Sequence, residues 1–197
     1  MSEPRGIRNG VDVDELIELA ATVTASTDPV PVTLRTRSRW DDGAAFDSRG
    51  RSLELLGESH DRTRHAVRLD VPVTLGGRDT GPAPTEMVLL ALAACVGGTL
   101  VDGAALEGID IGGLEVTVDG ELDLRGAFGV DGARPGLSGV TVTLAVRADV
   151  DDATLDELGR ESLRLSPTAR SLTDPVPVTV AVQRVAVPAG SGPGSAS

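Results

Sequence analysis

The stretch Pro84–Glu107, PTEMVLLALAACVGGTLVDGAALE, decides the fold of this chain. Proline suits the first helical position, where an N–H would have no partner, and Glu86 complements the positive end of a helix. From Met87 to Val101 the residues are apolar or small, which predicts a helix buried on most of its sides. Ala91, Ala93, Ala94, Gly97 and Gly98 permit close approach of another backbone. Each glycine weakens a helix by roughly 1 kcal/mol relative to alanine. Close packing against a partner helix is the expected compensation. Cys95, the single cysteine, lies within this run.

Downstream, Ile111–Leu124 alternates, with Leu114, Val116 and Val118 set against Glu115, Thr117 and Asp119, the period of a strand. A Gly-rich connection, 126–137, leads to a second alternating strand over Gly139–Val150. Asp151 or Asp152 caps a helix to about Leu165, Ser166-Pro167 opens a further turn to about Leu172, and Pro175–Val187 reads as a closing strand. Upstream, residues 1–10 read as a loose start, and Asp12 or Asp14 caps a short helix to about Thr24. Val32 and Leu34 form the inner face of a half-buried strand over Pro31–Trp40, with Arg35, Arg37 and Arg39 on the other face. Two more strands are expected near Ser52–Gly57 and Arg64–Val71, and Gly76–Gly81 is a flexible loop. Strands in runs broken by helices point to an α+β fold. The expected organisation is one domain over 1–187, with 1–30 as an N-terminal helical extension and 188–197, PAGSGPGSAS, as a disordered tail.

Composition excludes several classes. The net charge of −12 repels phosphate backbones, so no nucleic-acid partner is expected. Aromatics are 2 % of the chain, with no Tyr, which leaves no platform for stacking bases or sugars. Every basic residue is Arg, so any fixed cation in a site is a guanidinium. The chain opens with MSEPRGIRNG, polar and broken rather than a leader, and the longest apolar run is interrupted by Gly97, Gly98 and Asp102. These features predict a cytoplasmic protein that does not enter a membrane. His60 and His65 make no zinc spacing with the lone Cys95, so neither a metal nor another cofactor is expected.

The stretch Gly76–Thr99 resembles the OsmC/Ohr family of thiol-dependent proteins. Further matches follow in order. Gly108–Gly126 looks like that family's long strand, Arg134–Leu137 like the lead into the next, and Leu163–Val180 like its last helix and closing strand. Arg35–Trp40 and Gly57–His65 look like a longer-chain branch, and the likeness covers most of residues 31–182. The resemblance implies an intertwined homodimer, two central helices wrapped by sheets from both chains. It also implies a reactive thiol at the dimer interface that reduces organic hydroperoxides.

Carried over residue by residue, Cys95 matches the family's peroxide-attacking cysteine; on residue chemistry alone it reads as a small buried hydrophobe, the commoner fate of a lone cysteine. A thiol of pKa about 8.5 is mostly protonated at neutral pH, and Cys95 is far from the start of its own helix, so a cation is expected beside it. Arg39, with Arg37, is the candidate; the other reading is a solvated strand face. Glu86 is the candidate carboxylate to orient that Arg, although the family's Glu slot falls on Thr85; the other reading is a helix N-terminal acid. Ser166 stands where the family has its second cysteine. A hydroxyl cannot resolve a sulfenic acid, so Ser166 either bonds the thiolate or caps the next helix, and an external thiol or dithiol must restore Cys95. The first expectation is thus a one-cysteine peroxidase with an aliphatic pocket formed by Met87, Leu90 and Leu163. The alternatives are a protein that binds an apolar small molecule or lipid, with Cys95 structural, and a sulfur or acyl carrier.

Overall fold

The computed structural model describes residues 5–174 and 176–184. In order, the elements are β1 (Ile7–Arg8), β2 (Val11–Asp12), α1 (Val13–Ala25), β3 (Thr33–Trp40), β4 (Phe46–Leu55), β5 (Glu58–Asp61), β6 (Ala66–Leu69), α2 (Pro84–Glu107), β7 (Ile111–Leu122), α3 (Leu124–Ala127), β8 (Leu137–Ala148), α4 (Asp152–Leu165) and α5 (Pro167–Thr173). The fold is α+β with antiparallel sheets.

The central helix α2 has the bounds its sequence predicts. Pro84 is its first residue, and Glu86 Oε2 accepts the Ala83 N–H at 2.7 Å. Gly108 in the left-handed region ends it, with its N–H on the Ala104 and Ala105 carbonyls. Beneath α2 lies the hairpin of β7 and β8, paired from Ile111↔Ala148 to Leu122↔Leu137. Leu92 and Val96 of α2 join Ala169, Val118, Val142 and Leu144 in one apolar cluster. Two turns on, Leu100 and Ala104 meet Leu158, Ile111, Leu114 and Val146 in a second. The helix α4 covers this second cluster, and its own start is capped by Asp151, which accepts the Thr154 N–H at 2.9 Å.

Gly97 has a reason within the chain. A Cβ there would stand 3.1 Å from Val116 Cγ2, so the missing side chain lets β7 approach α2. Gly98, by contrast, faces open space. The exposed side of α2 carries Val88, Leu90, Ala91, Ala94 and Gly98. By length and composition alone α2 is long and apolar enough to cross a membrane, contrary to the reading of its interruptions. Its opposite face forms the core with β7, α4 and α5.

The second sheet is β3–β4–β5, with β6 on the other edge of β4. It is more extended than the sequence suggests, because β4 starts at Phe46 and pairs with β3 along its length. Its inner face is missing. Leu34 is 70 % exposed and Val32 53 %, so the expected half-buried strand is bare on both sides in the single chain. The sheet joins α2 through the segment 70–83. That segment is pinned rather than loose, because the fully buried Asp70 carboxylate accepts from Thr80 Oγ1 (2.7 Å) and from the N–H groups of Val71 (2.8 Å), Arg78 (3.1 Å) and Thr80 (3.2 Å). The Thr80 hydroxyl is the main reason that the Asp70 carboxyl is held at about 2; burial opposes it, and the three N–H groups reinforce it.

The expected loose start is also ordered over residues 5–10. Asn9 clamps the end of α2 to β7, donating to the Ile109 carbonyl and accepting from the Ile111 N–H, both at 2.9 Å. Asp12 caps α1, accepting from the Glu15 N–H, while Asp14 instead accepts the Arg5 and Gly6 N–H groups. The expected closing strand is unpaired over residues 176–184, with Val178, Val180 and Val182 each at least 87 % exposed. Pro175 and 185–187 lie outside the described residues, as does the expected tail.

Candidate functional site

Cys95 projects from the middle of α2 toward the junction of α4 and α5. The junction is made by Ser166-Pro167. A residue before proline is disfavoured in the helical region, and Ser166, at φ −67° and ψ 115°, ends α4 there. Pro167 then takes the first position of α5, Ser166 Oγ accepts the Ala169 N–H at 3.2 Å, and the Thr168 N–H at the second position has no partner within its helix. Ala169 packs on Leu92 and Val96, which flank Cys95 on α2. That contact sets the start of α5 over the thiol.

The start of α5 brings three polar groups near the sulfur. Burial pushes the Cys95 thiol up. The Ser166 hydroxyl, the Thr168 hydroxyl and the Thr168 N–H together pull it further down, to a net value below the ordinary one. Ser166 caps α5 through the Ala169 N–H, and its hydroxyl is also among the groups that lower the thiol. It is fully buried, so water does not compete for it. Thr168 was missed from the sequence. The signal was present: serine as N-cap and proline as first residue leave the next N–H unsatisfied, and a nearby thiolate is a suitable acceptor.

The other expected residues lie elsewhere in the single chain. Arg37 and Arg39 line a groove on the β3–β4 sheet with Arg49 and Arg51. Among the described residues of the single chain no arginine is one of the groups that shift the thiol. Glu86 holds the first turn of α2 through the Ala83 N–H. His60 is exposed on β5, 3.9 Å from Glu58, and His65 accepts from Arg64 at 3.2 Å.

The single chain has a groove of its own beside α2. A groove of ≈ 520 Å³ between α2 and β7 is lined by Leu89, Leu90, Ala93, Val116 and Val118, together with the carboxylates of Glu86 and Asp119. Leu90 takes part as expected, whereas Met87 and Leu163 do not line it. Leu163 sits exposed on α4. Asp102 lies two turns beyond Cys95 on α2, and burial raises its carboxyl above the ordinary range.

A family model described as OsmC-like protein matches residues 76–181, more than half of the chain. No curated protein matches it. Among solved structures, it is similar to a Psychrobacter arcticus protein assigned to osmotic stress induction and detoxification response, at 20 % identity and a TM-score of 0.51, over 69 % of this chain and 85 % of that one. It is also similar to an OsmC-like protein of Mycoplasma pneumoniae (17 %, 0.49, over 75 % and 89 %). A third likeness is to an organic hydroperoxide resistance protein OsmC of Legionella pneumophila (15 %, 0.48, over 71 % and 88 %). The first of these speaks for the fold alone, and the two scores below 0.5 add no weight.

Proposed function

From the premise that this chain belongs to the OsmC-like protein family, we propose that it reduces organic hydroperoxides through Cys95 by a one-cysteine mechanism. The observation that carries the reading is the packing of Ala169 on Leu92 and Val96, which sets Ser166 and Thr168 beside Cys95, where they favour the thiolate despite its burial. The thiolate attacks the distal oxygen of the hydroperoxide. An S–O bond forms, the O–O bond breaks, and the alkoxide leaves as the alcohol after taking a proton. Cys95 is then a sulfenic acid. A first external thiol condenses with it, releasing water and leaving a mixed disulfide. A second thiol, or the other arm of a dithiol, frees Cys95 and departs as the oxidised reductant.

The working form is a homodimer in the cytoplasm. The bare β3–β6 sheet, the exposed side of α2 around Gly98 and the exposed valines of 176–184 support a second copy as the missing cover. In that assembly Arg39 or Arg37 of one chain serves Cys95 of the other, with Glu86 as its orienting carboxylate. The test is intact mass after brief cumene hydroperoxide treatment with dimedone present. One adduct on Cys95 within seconds at low peroxide is expected, and none in Cys95→Ser. A thiol that stays unmodified would overturn the reading.

The apolar groove between α2 and β7 favours one second reading, a protein that binds an apolar ligand and keeps Cys95 structural. A co-purified lipid together with an inert thiol would select it.

A further inference from the structure

The strand pair β3–β4 concentrates positive charge. Alternation puts Arg37 and Arg39 on one face of β3, and the antiparallel register sets Arg37 directly opposite Arg49. Between Arg35 and Thr36 the register shifts: Thr36 pairs with Gly50 and Arg35 with Ser52, leaving Arg51 as the extra residue of a bulge. Arg37, Arg39, Arg49 and Arg51 line one groove of ≈ 550 Å³. Its single carboxylate, Asp47, is already held by Arg68 at 2.9 Å. Among the described residues none of the four arginines is in an ion pair. This occurs in a chain with 30 acidic and 18 basic residues, where carboxylates are in surplus.

Like charges directly opposite on a sheet are destabilising, so the arrangement costs the fold something that an anion would relieve. We infer that this groove is a binding site for a small, multiply charged anion. Guanidinium forks match phosphate and carboxylate oxygens two at a time. The groove has the volume of a small-molecule site. Its remaining lining is Gly50, Ser52 and Thr63, with no apolar side chain, so it recognises charge rather than a hydrocarbon tail. The net charge of −12 opposes a long polyanion such as nucleic acid. The ligand chemistry is two or more anionic groups close together, as in a diphosphate or a tricarboxylate. The groove shares Arg37 and Arg39 with the reaction proposed at Cys95, which makes no use of Arg49 or Arg51.

The test is titration calorimetry of the full chain at low salt, with inorganic pyrophosphate and with citrate. Saturable binding of at least one is expected, weakening as salt rises, and the tighter one tells phosphate from carboxylate. Arg49→Gln with Arg51→Gln should weaken it about tenfold or more and leave peroxide turnover as it was. Arg51→Gln alone, at the bulge, gives the smaller loss should the double variant fold poorly. No saturable binding of either anion at millimolar concentration, or equal affinity in the variants, would overturn the site. Neither result depends on whether Cys95 is reactive.

Discussion

The hairpin β7–β8 and the sheet β3–β6 are built alike, from antiparallel strands of alternating sequence, yet only one of them has a core. The hairpin lies under α2, and Leu92, Val96, Leu100 and Ala104 are buried between them. The N-terminal sheet buries Ala45 at the end of a turn and Asp70 in the segment that leaves it, and no large apolar side chain. An uncovered sheet of this kind is marginal in water. The difference teaches where a second chain belongs. One region is finished by its own helices, while the other presents Leu34, Trp40 and the arginine groove to whatever completes it.

The largest effect separating the two regions is expected at Leu100, fully buried in the α2 cluster. Leu100→Ala should cost about 2–5 kcal/mol in denaturant unfolding, and a loss below about 1 kcal/mol would deny that this cluster is the core. Next comes Leu34→Asp on β3. In a lone chain this exposed site is nearly neutral, but in the proposed dimer it places a charge in the interface. Sedimentation should show the dimer falling to monomer at micromolar concentration, and an unchanged dimer would mean that the bare sheet faces water.

A smaller change is expected at the α4–α5 junction. Ser166→Ala removes a helix cap, worth about 0.5–2 kcal/mol, and one of three donors to the thiolate. The pH midpoint of thiolate absorbance should rise, and reaction with cumene hydroperoxide at neutral pH should slow. Thr168→Val, which keeps the N–H, should raise the midpoint without the cap loss. Unmoved midpoints in both would leave the hydroxyls without a part in the chemistry.

The smallest effect is confined to acid. The folded carboxyl of Asp70 is depressed to about 2, so its contribution is fully present above the unfolded value, about 3.9, and is lost as pH falls from there toward 2. Thermal melts of the native chain should lose stability over that window more steeply than melts of Asp70→Asn, which starts lower at neutral pH. Parallel acid curves would show that the pinned segment between the sheet and α2 does not depend on this charge.

Much of this was legible in the sequence because it was local. The α2 helix shows itself in a run that is apolar or small, bounded by Pro84 and Gly108, and the hairpin in two alternating segments. The caps at Asp12, Asp151 and Ser166 follow from side chains that satisfy orphan N–H groups. The chemistry of Cys95 was only half legible. Its position on a buried helix could be read, but its partners come from residues more than seventy positions later, and distance in sequence hides them. Arg37 and Arg39 showed as a strand face. That they join Arg49 and Arg51 depends on a one-residue bulge at the β3–β4 register.

The amino-acid sequence by itself determined the α+β class, the central helix and its thiol, because hydrophobic period and capping act within a few residues. Only the tertiary structure decided that Ser166 and Thr168 come beside that thiol, that Gly97 serves β7 rather than a partner helix, and that the N-terminal sheet stands without a core. Those outcomes come from packing between distant segments, where one methyl group's room or one residue's register selects the contact.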